Sequence, residues 1–221
     1  YEILRCLVGS EMCIRDSSYT DKNILEDINL DIYQGDFLLI TGPNGGGKTS
    51  LLRTILRLQS PTKGRISFFR QGEPVSSLDM RYLPQKNSID SRFPITVEEV
   101  VASGLMGNTQ KGNTKFDSKK EIDGMLDLMG ITALRNKPIG VLSGGQLQRS
   151  LFGRALISKP EMLILDEPAS YIDRQFGNRM FEILRDLSSN GTTIMMVSHE
   201  IEPFITLSNR NLYINHILGD R

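Results

Sequence analysis

The sequence predicts an α/β domain built around a parallel sheet. Three short apolar runs, 37–40, 162–165 and 192–197, have the length and branched-residue content of buried strands. Helical spacing of apolar residues follows the first run, in residues 51–58, and again in 122–129. Because buried strands alternate with amphipathic helices along the chain, an α/β architecture is favoured.

Composition excludes several other classes of protein. The 221 residues suit one domain, and 39% hydrophobic with 24% charged residues is the ordinary balance of a globular chain. The 26 basic and 26 acidic residues give a net charge of zero, which argues against a nucleic-acid partner. No apolar run approaches the roughly 20 residues that cross a bilayer, so we expect any membrane role to act through a partner.

The first residues differ in character from the rest. Residues 1–17 lack the pattern of a signal peptide, and the stretch Cys6–Ser17, CLVGSEMCIRDS, resembles the translation of a transposase-type sequencing adapter. We therefore expect residues 1–17 to be non-native and Cys6 and Cys13 to have no biological role. The alternative is a genuine, unusual N-terminus. Residues 18–221 are predicted to form one domain.

The remaining elements can be predicted in chain order. Ile28, Leu30 and Ile32 alternate with polar residues as in a half-buried strand. A further strand is predicted for 65–69, after a turn. A polar loop over 107–120 leads into a helix that Asp117 or Ser118 could cap.

A glycine-rich loop lies between the first buried strand and the first helix. It reads GPNGGGKT from Gly42 to Thr49 and fits the phosphate-binding pattern G-x-x-x-x-G-K-[ST]. Its glycines allow backbone N–H groups to surround phosphate oxygens, Lys48 can reach the β- and γ-phosphates, and the Thr49 hydroxyl can ligate Mg²⁺. The candidate nucleotide ligands here are Gly42, Pro43, Asn44, Gly45, Gly46, Gly47, Lys48, Thr49 and Ser50.

Two carboxylates end the second buried run. Ligands of parallel α/β sheets bind beyond the carboxyl ends of the strands, which is where Asp166 and Glu167 are predicted to lie. Asp166 could hold Mg²⁺, and Glu167 could polarise the attacking water.

A third motif indicates which kind of nucleotide-binding protein this is. The segment 142–146, LSGGQ, opens a predicted helix with Ser143 as its N-cap. Together with the phosphate loop and the acidic pair, it resembles the nucleotide-binding ATPase subunit of ATP-binding-cassette (ABC) transporters, from Ser18 to about Ile214. The resemblance implies that Ser143, Gly144, Gly145 and Gln146 contact ATP.

The same resemblance assigns roles to other residues. It implies that Tyr19 stacks on adenine, that Gln85 touches Mg²⁺ or water and faces the membrane partner, and that His199 contacts the γ-phosphate. Residues 170–173 occupy the family's D-loop position, although Tyr171 and Ile172 depart from the usual residues there. Relative to the family, the chain is expected to lack native sequence at both ends.

The resemblance also implies an architecture and partners. The fold would be a P-loop NTPase (RecA-like) core, 18–86 and 161–221, with an antiparallel β subdomain and an inserted α-helical signature subdomain, 87–160. ATP and Mg²⁺ would be bound between two copies packed head to tail. A separate permease would receive the work, at the cytoplasmic face of the bacterial inner membrane.

The cargo is indicated by the segment 85–104. It resembles importer subunits for zinc or manganese, which implies a metal-binding extracytoplasmic protein as an indirect partner. Importers of iron-siderophores or cobalamin and ABC exporters are the alternatives. A DNA-repair or translation-factor ATPase does not fit, because the chain has one cassette without a coiled-coil insert.

If residues 1–17 derive from an adapter, re-sequencing the source locus should show different codons upstream of Ser18. The same codons in an independent library made without that adapter would contradict the hypothesis.

Overall fold

The computed structural model describes residues 3–4, 14–15, 23–25, 28–61, 64–85, 93–106, 115–199, 202–215 and 217–220. Its strands are β1 (Ile3–Leu4), β2 (Ile14–Arg15), β3 (Asn23–Leu25), β4 (Ile32–Tyr33), β5 (Phe37–Thr41), β6 (Phe68–Arg70), β7 (Glu73–Val75), β8 (Met80–Leu83), β9 (Met162–Asp166), β10 (Thr193–Val197), β11 (Arg210–Asn215) and β12 (Ile217–Asp220). Its α-helices are α1 (Lys48–Ile55), α2 (Val97–Ser103), α3 (Lys115–Leu128), α4 (Gly144–Leu156) and α5 (Arg174–Ser189). Short 3₁₀ turns cover Thr132–Leu134, Ile139–Val141 and Phe204–Thr206.

A six-stranded sheet organises the fold. Its order is β12-β11-β5-β10-β9-β8, and all neighbours are parallel except β12, which is antiparallel to β11. Val197 lies beside both Ile40 and Asp166, so β5, β10 and β9 end at the same level. The loops that follow these strands therefore meet at one edge, and the predicted α/β class is confirmed.

The two faces of the sheet bury alternate residues in two clusters. Leu39, Leu163 and Met196 face one cluster, which contains apolar side chains of α2, α3, α4 and α5. Leu38 and Ile164, one residue out of phase, face the other cluster, with α1 and the small antiparallel sheets. This alternation fixes which side chains can reach each face of the site.

Among the residues that the structure describes, three two-stranded antiparallel sheets accompany the central sheet. They pair β1 with β4, β2 with β3, and β6 with β7. Leu25 and Phe68 from these strands are fully buried against the cluster on the α1 face. The expected antiparallel strands beside a P-loop core are thus present.

Some predicted elements differ in extent. Ile28, Leu30 and Ile32 are buried as the alternation predicts, but only Ile32–Tyr33 forms a strand. Alternation of apolar and polar residues indicates which side chains are buried. A strand also needs a second strand to pair with its backbone N–H and C=O groups. For the same reason, the strand predicted for 65–69 is shifted to Phe68–Arg70. Most of the predicted polar loop, 107–114, lies outside the described residues.

Three helices, α2, α3 and α4, lie between β8 and β9 and pack on one face of the sheet. Thr96 is the N-cap of α2 and forms a capping box with Glu99. The Thr96 side chain accepts from the Glu99 N–H, and the Glu99 side chain accepts from the Thr96 N–H. Gly104 ends α2 so close to α4 that a Cβ there would lie 2.1 Å from the Arg154 carbonyl oxygen. Among the described helices, none is long and apolar enough to cross a membrane.

This close approach can be tested with a matched pair of glycines. Gly104→Ala should destabilise the fold by about 1–3 kcal/mol, because the two helices must separate to admit the methyl group. Gly124→Ala should stabilise it by about 0.5–1 kcal/mol, since Gly124 is an exposed interior residue of α3 with open space around it. Urea unfolding monitored by circular dichroism measures both. Equal effects of the two variants would contradict the packing of α2 on α4.

Candidate active site

The phosphate loop is shaped by glycines between β5 and α1. Gly42, Gly45 and Gly47 have positive φ angles of 145°, 79° and 99°. A Cβ on Gly42 would lie 2.0 Å from the Ile214 carbonyl oxygen. The loop therefore rests directly on the backbone of β11, and only glycine fits there.

Lys48 is the first residue of α1 and is buried at the base of the loop. Its Nζ donates hydrogen bonds to the carbonyl oxygens of Gly42, at 2.9 Å, and Pro43, at 2.8 Å. Burial lowers the pKa of Lys48, while the nearby carboxylates of Glu167 and Asp166 raise it. The ammonium group thus lies against the backbone of the phosphate loop.

Asp166 ends β9, with 2% of its surface exposed. Its Oδ2 accepts hydrogen bonds from Thr49 Oγ1, at 3.0 Å, and from the Tyr82 hydroxyl, at 3.4 Å. Burial raises the pKa of Asp166, and the bond from Thr49 opposes this. Burial, followed by the Asp166 charge, raises the pKa of Tyr82 to about 12.

The pair Thr49 and Asp166 fits a Mg²⁺ ion. Mg²⁺ is usually bound through one or two protein oxygens together with water and substrate phosphates. The Thr49 hydroxyl donates a hydrogen bond to Asp166, so its lone pairs stay available for a cation. Thr49 is the last residue of the phosphate loop. Asp166 is hydrogen-bonded to it, so both side chains adjoin the loop.

Glu167 leaves the strand in a different direction from its neighbour Asp166. Its φ is 49°, in the left-handed region, and its N–H donates to the Val197 carbonyl oxygen at 2.9 Å. Its Oε2 accepts from Gln85 Nε2 at 2.5 Å, and its Oε1 lies 3.0 Å from His199 Nε2. Three residues predicted from separate motifs are therefore in contact.

The LSGGQ residues lie around a separate cleft of about 500 Å³. Ser143 caps α4 through a capping box with Gln146. Gly145 packs against the backbone of Tyr171, where a Cβ would lie 2.7 Å from the Tyr171 carbonyl oxygen. Tyr171 itself is 77% exposed and has a φ of 70°.

Two polar contacts that sequence reasoning missed join α4 to the segment after Glu167. Gln148 is buried and donates to the Pro168 carbonyl oxygen at 3.3 Å. Arg149 forms an ion pair with Asp173, which caps α5 by accepting from the Phe176 N–H. That N–H bond, with a smaller contribution from Arg149, lowers the pKa of Asp173. Tyr19, the predicted adenine-stacking residue, lies outside the described residues.

A strand, a glycine loop and a helix that opens with a buried lysine, together with two carboxylates at the end of β9, define a P-loop ATPase. Comparison with known proteins agrees with this class and also identifies the family. The profile of the ABC transporter family matches residues 25–170. The chain therefore belongs to the ABC transporter family, as the motifs predict, and is an ATP-binding ATPase of that family.

Curated relatives and solved structures resemble the chain over most of its length. A Chlamydia pneumoniae protein named "Probable metal transport system ATP-binding protein" is 40% identical over 200 residues, 89% of this chain and 81% of the relative. The zinc import ATP-binding protein ZnuC of Haemophilus influenzae is 34% identical over 198 residues, 89% of this chain and 68% of the relative. A dimeric ATP-binding cassette in a post-hydrolysis state with ADP and phosphate shares the fold, with a TM-score of 0.81, 23% identity and coverage of 96% and 97%.

Proposed function

We propose that the chain is the ATP-hydrolysing subunit of an importer for a metal cation, zinc or manganese, and drives a separate permease. The observation that supports hydrolysis is the position of Glu167, which touches Gln85 and His199 beside the phosphate loop. The metal cargo is supported by the names of relatives, which are a metal transport system protein and a zinc import protein.

The phosphate loop and the start of α1 would bind the phosphates of ATP. The free N–H groups of the loop and of the first turn of α1 would bind the phosphates, because the positive φ angles of Gly42, Gly45 and Gly47 turn the backbone there. Lys48 now donates to two loop carbonyls and would exchange them for phosphate oxygens when ATP enters. This exchange costs little desolvation, because the ammonium group is already buried.

Glu167 would activate the water that attacks the γ-phosphate. Its carboxylate is held at both oxygens, by the Gln85 amide and the His199 imidazole, so its direction is fixed before substrate arrives. A carboxylate in this position can accept a proton from the attacking water. His199, with 45% of its side chain exposed, remains accessible to a γ-phosphate.

Thr49 and Asp166 would hold Mg²⁺, and Gln85, which donates to Glu167, would contact the ion or its water. When bound, the ion neutralises charge on the transferring phosphoryl group. The hydrogen bond between Thr49 and Asp166 orients both groups in its absence.

The signature residues would act on the nucleotide of a second copy. Their cleft is lined by Ser143, Gly144 and Gly145 together with Tyr171 and Asp173, apart from the phosphate loop. A head-to-tail dimer would bring each cleft to the partner's phosphate loop. The solved cassette of the same fold is dimeric, which supports this arrangement.

The remaining partners follow from an importer role. The chain would lie at the cytoplasmic face of the bacterial inner membrane, docked on permease subunits near Gln85. A metal-binding extracytoplasmic protein would deliver the cargo to the other side. ATP-driven closure and hydrolysis-driven opening of the dimer would then drive transport.

The role of Glu167 predicts a specific defect. Glu167→Gln retains size and hydrogen bonding but loses the charge that polarises water, so turnover should fall by about 10²–10⁴ with little change in ATP affinity. Because reopening needs hydrolysis, the variant should accumulate as an ATP-bound dimer. Phosphate release and the dimer fraction with ATP measure the two effects.

Two variants serve as controls for this experiment. Asp166→Asn should instead weaken the Mg²⁺ dependence, and Glu73→Gln, on the exposed strand β7, should leave both readouts unchanged. A Glu167→Gln protein that hydrolyses ATP normally, or never dimerises with ATP, would falsify the assignment.

The position of Gln85 predicts that its substitution uncouples ATP hydrolysis from the permease. Gln85→Ala should retain ATP binding but lose the stimulation of hydrolysis by the permease, because Gln85 links Glu167 to the segment proposed to face the membrane partner. The measurement is ATP turnover in vesicles that contain permease, with and without metal-loaded binding protein.

The matched control is Gln34→Ala, an exposed glutamine in the turn before β5. It should show full stimulation by zinc-loaded or manganese-loaded binding protein. Full stimulation of Gln85→Ala would contradict the coupling role, and the absence of stimulation by either metal in the unsubstituted protein would contradict the metal cargo.

A further inference from the structure

We infer that Tyr82 is a positioning residue for ATP hydrolysis, which fixes the Asp166 carboxylate in the orientation that binds the metal ion. The inference deepens the proposed function, since it rests on Asp166 as the Mg²⁺ ligand. The observation that carries it is a shared acceptor: Asp166 Oδ2 receives both the Tyr82 hydroxyl, at 3.4 Å, and the Thr49 hydroxyl, at 3.0 Å.

The strand register explains why Tyr82 reaches Asp166. In the parallel pairing of β8 with β9, Tyr82 lies beside Ile164. Asp166 is two residues further along β9 and so projects from the same face of the sheet. That is also the face of α1, which carries Thr49. The two hydroxyl groups thus come from different elements, a strand and a helix, and meet at one carboxylate oxygen.

The ring of Tyr82 has a structural role that is separable from its hydroxyl group. The ring packs against the apolar cluster on the α1 face, whose members include Ile164 and Leu51. Phenylalanine would keep this packing and remove only the hydroxyl group. The chain therefore offers a substitution that distinguishes positioning from core packing.

Two donors on one oxygen restrict rotation of the Asp166 side chain. With Oδ2 held by both hydroxyls, the orientation of the other oxygen, Oδ1, is fixed as well. Partners of this kind, which contact a ligand residue and not the metal, typically contribute 10–100-fold to metal affinity or activity. The bond from Tyr82 is long, so we expect an effect of about tenfold, at the lower end of this range.

The test measures metal binding directly. Mn²⁺ is titrated in place of Mg²⁺ into the full chain with a non-hydrolysable ATP analogue, and free Mn²⁺ is followed by electron paramagnetic resonance. Tyr82→Phe should weaken Mn²⁺ binding by about tenfold and raise the Mg²⁺ concentration for half-maximal hydrolysis in parallel. Its thermal unfolding without metal should remain cooperative with only a small decrease in Tm, because one long hydrogen bond is lost while the ring packing is kept. Tyr33→Phe, which removes a hydroxyl from an exposed tyrosine of β4, should change none of these values.

A double-substitution cycle shows through which residue Tyr82 acts. In an Asp166→Asn background, Tyr82→Phe should weaken Mn²⁺ binding by no more than about twofold, since the carboxylate it positions is gone. An equal loss in both backgrounds, or Mn²⁺ affinity of Tyr82→Phe equal to that of Tyr33→Phe, would overturn the inference and leave the proposed function intact. Unchanged Mn²⁺ binding by Asp166→Asn alone would overturn the metal assignment itself.

Discussion

The alignment of three parallel strands at one edge of the sheet is the constraint on which the site depends. Val197 pairs with both Ile40 and Asp166, so the loops that follow β5, β9 and β10 start at one level. The phosphate loop, the carboxylates and the histidine come from distant parts of the chain, and this alignment brings them to the same edge of the sheet. The alignment in turn depends on fully buried strands, whose backbone groups must all be paired.

A single backbone conformation separates the two carboxylates. Strict alternation along β9 puts Asp166 on the α1 face, beside Thr49, and would send Glu167 to the opposite face. The left-handed φ of Glu167 instead turns it past the strand end toward Gln85 and His199. Such strain in a non-glycine residue costs roughly 1–3 kcal/mol and persists only where surrounding contacts impose it. Here the N–H bond to Val197 supplies one such contact.

Local signals could be predicted from the sequence, whereas pairing could not. The phosphate loop, the buried runs and the Ser143 cap are each encoded within a few neighbouring residues, and the structure contains them. Helix α2 was missed, although Thr96 and Glu99 have the spacing of a capping box and would have indicated it. The contact of Tyr82 with Asp166 joins residues 84 positions apart and depends on the register of β8 against β9, which no local pattern specifies.

Helix α4, which the LSGGQ motif opens, and the carboxylate of Glu167, proposed to be catalytic, are both connected to one short segment. Residues 167–173 carry Glu167 at their start and cap α5 with Asp173 at their end. Two consecutive residues of α4 contact this segment, Gln148 at Pro168 and Arg149 at Asp173. The guanidinium of Arg149 also lies 4.5 Å from the ring centre of Phe176, so it is held from two sides. If α4 shifted alone, the hydrogen bond from the buried amide of Gln148 to Pro168 and the ion pair of Arg149 with Asp173 would both be broken, so we expect a displacement of α4 to involve the segment that begins with Glu167.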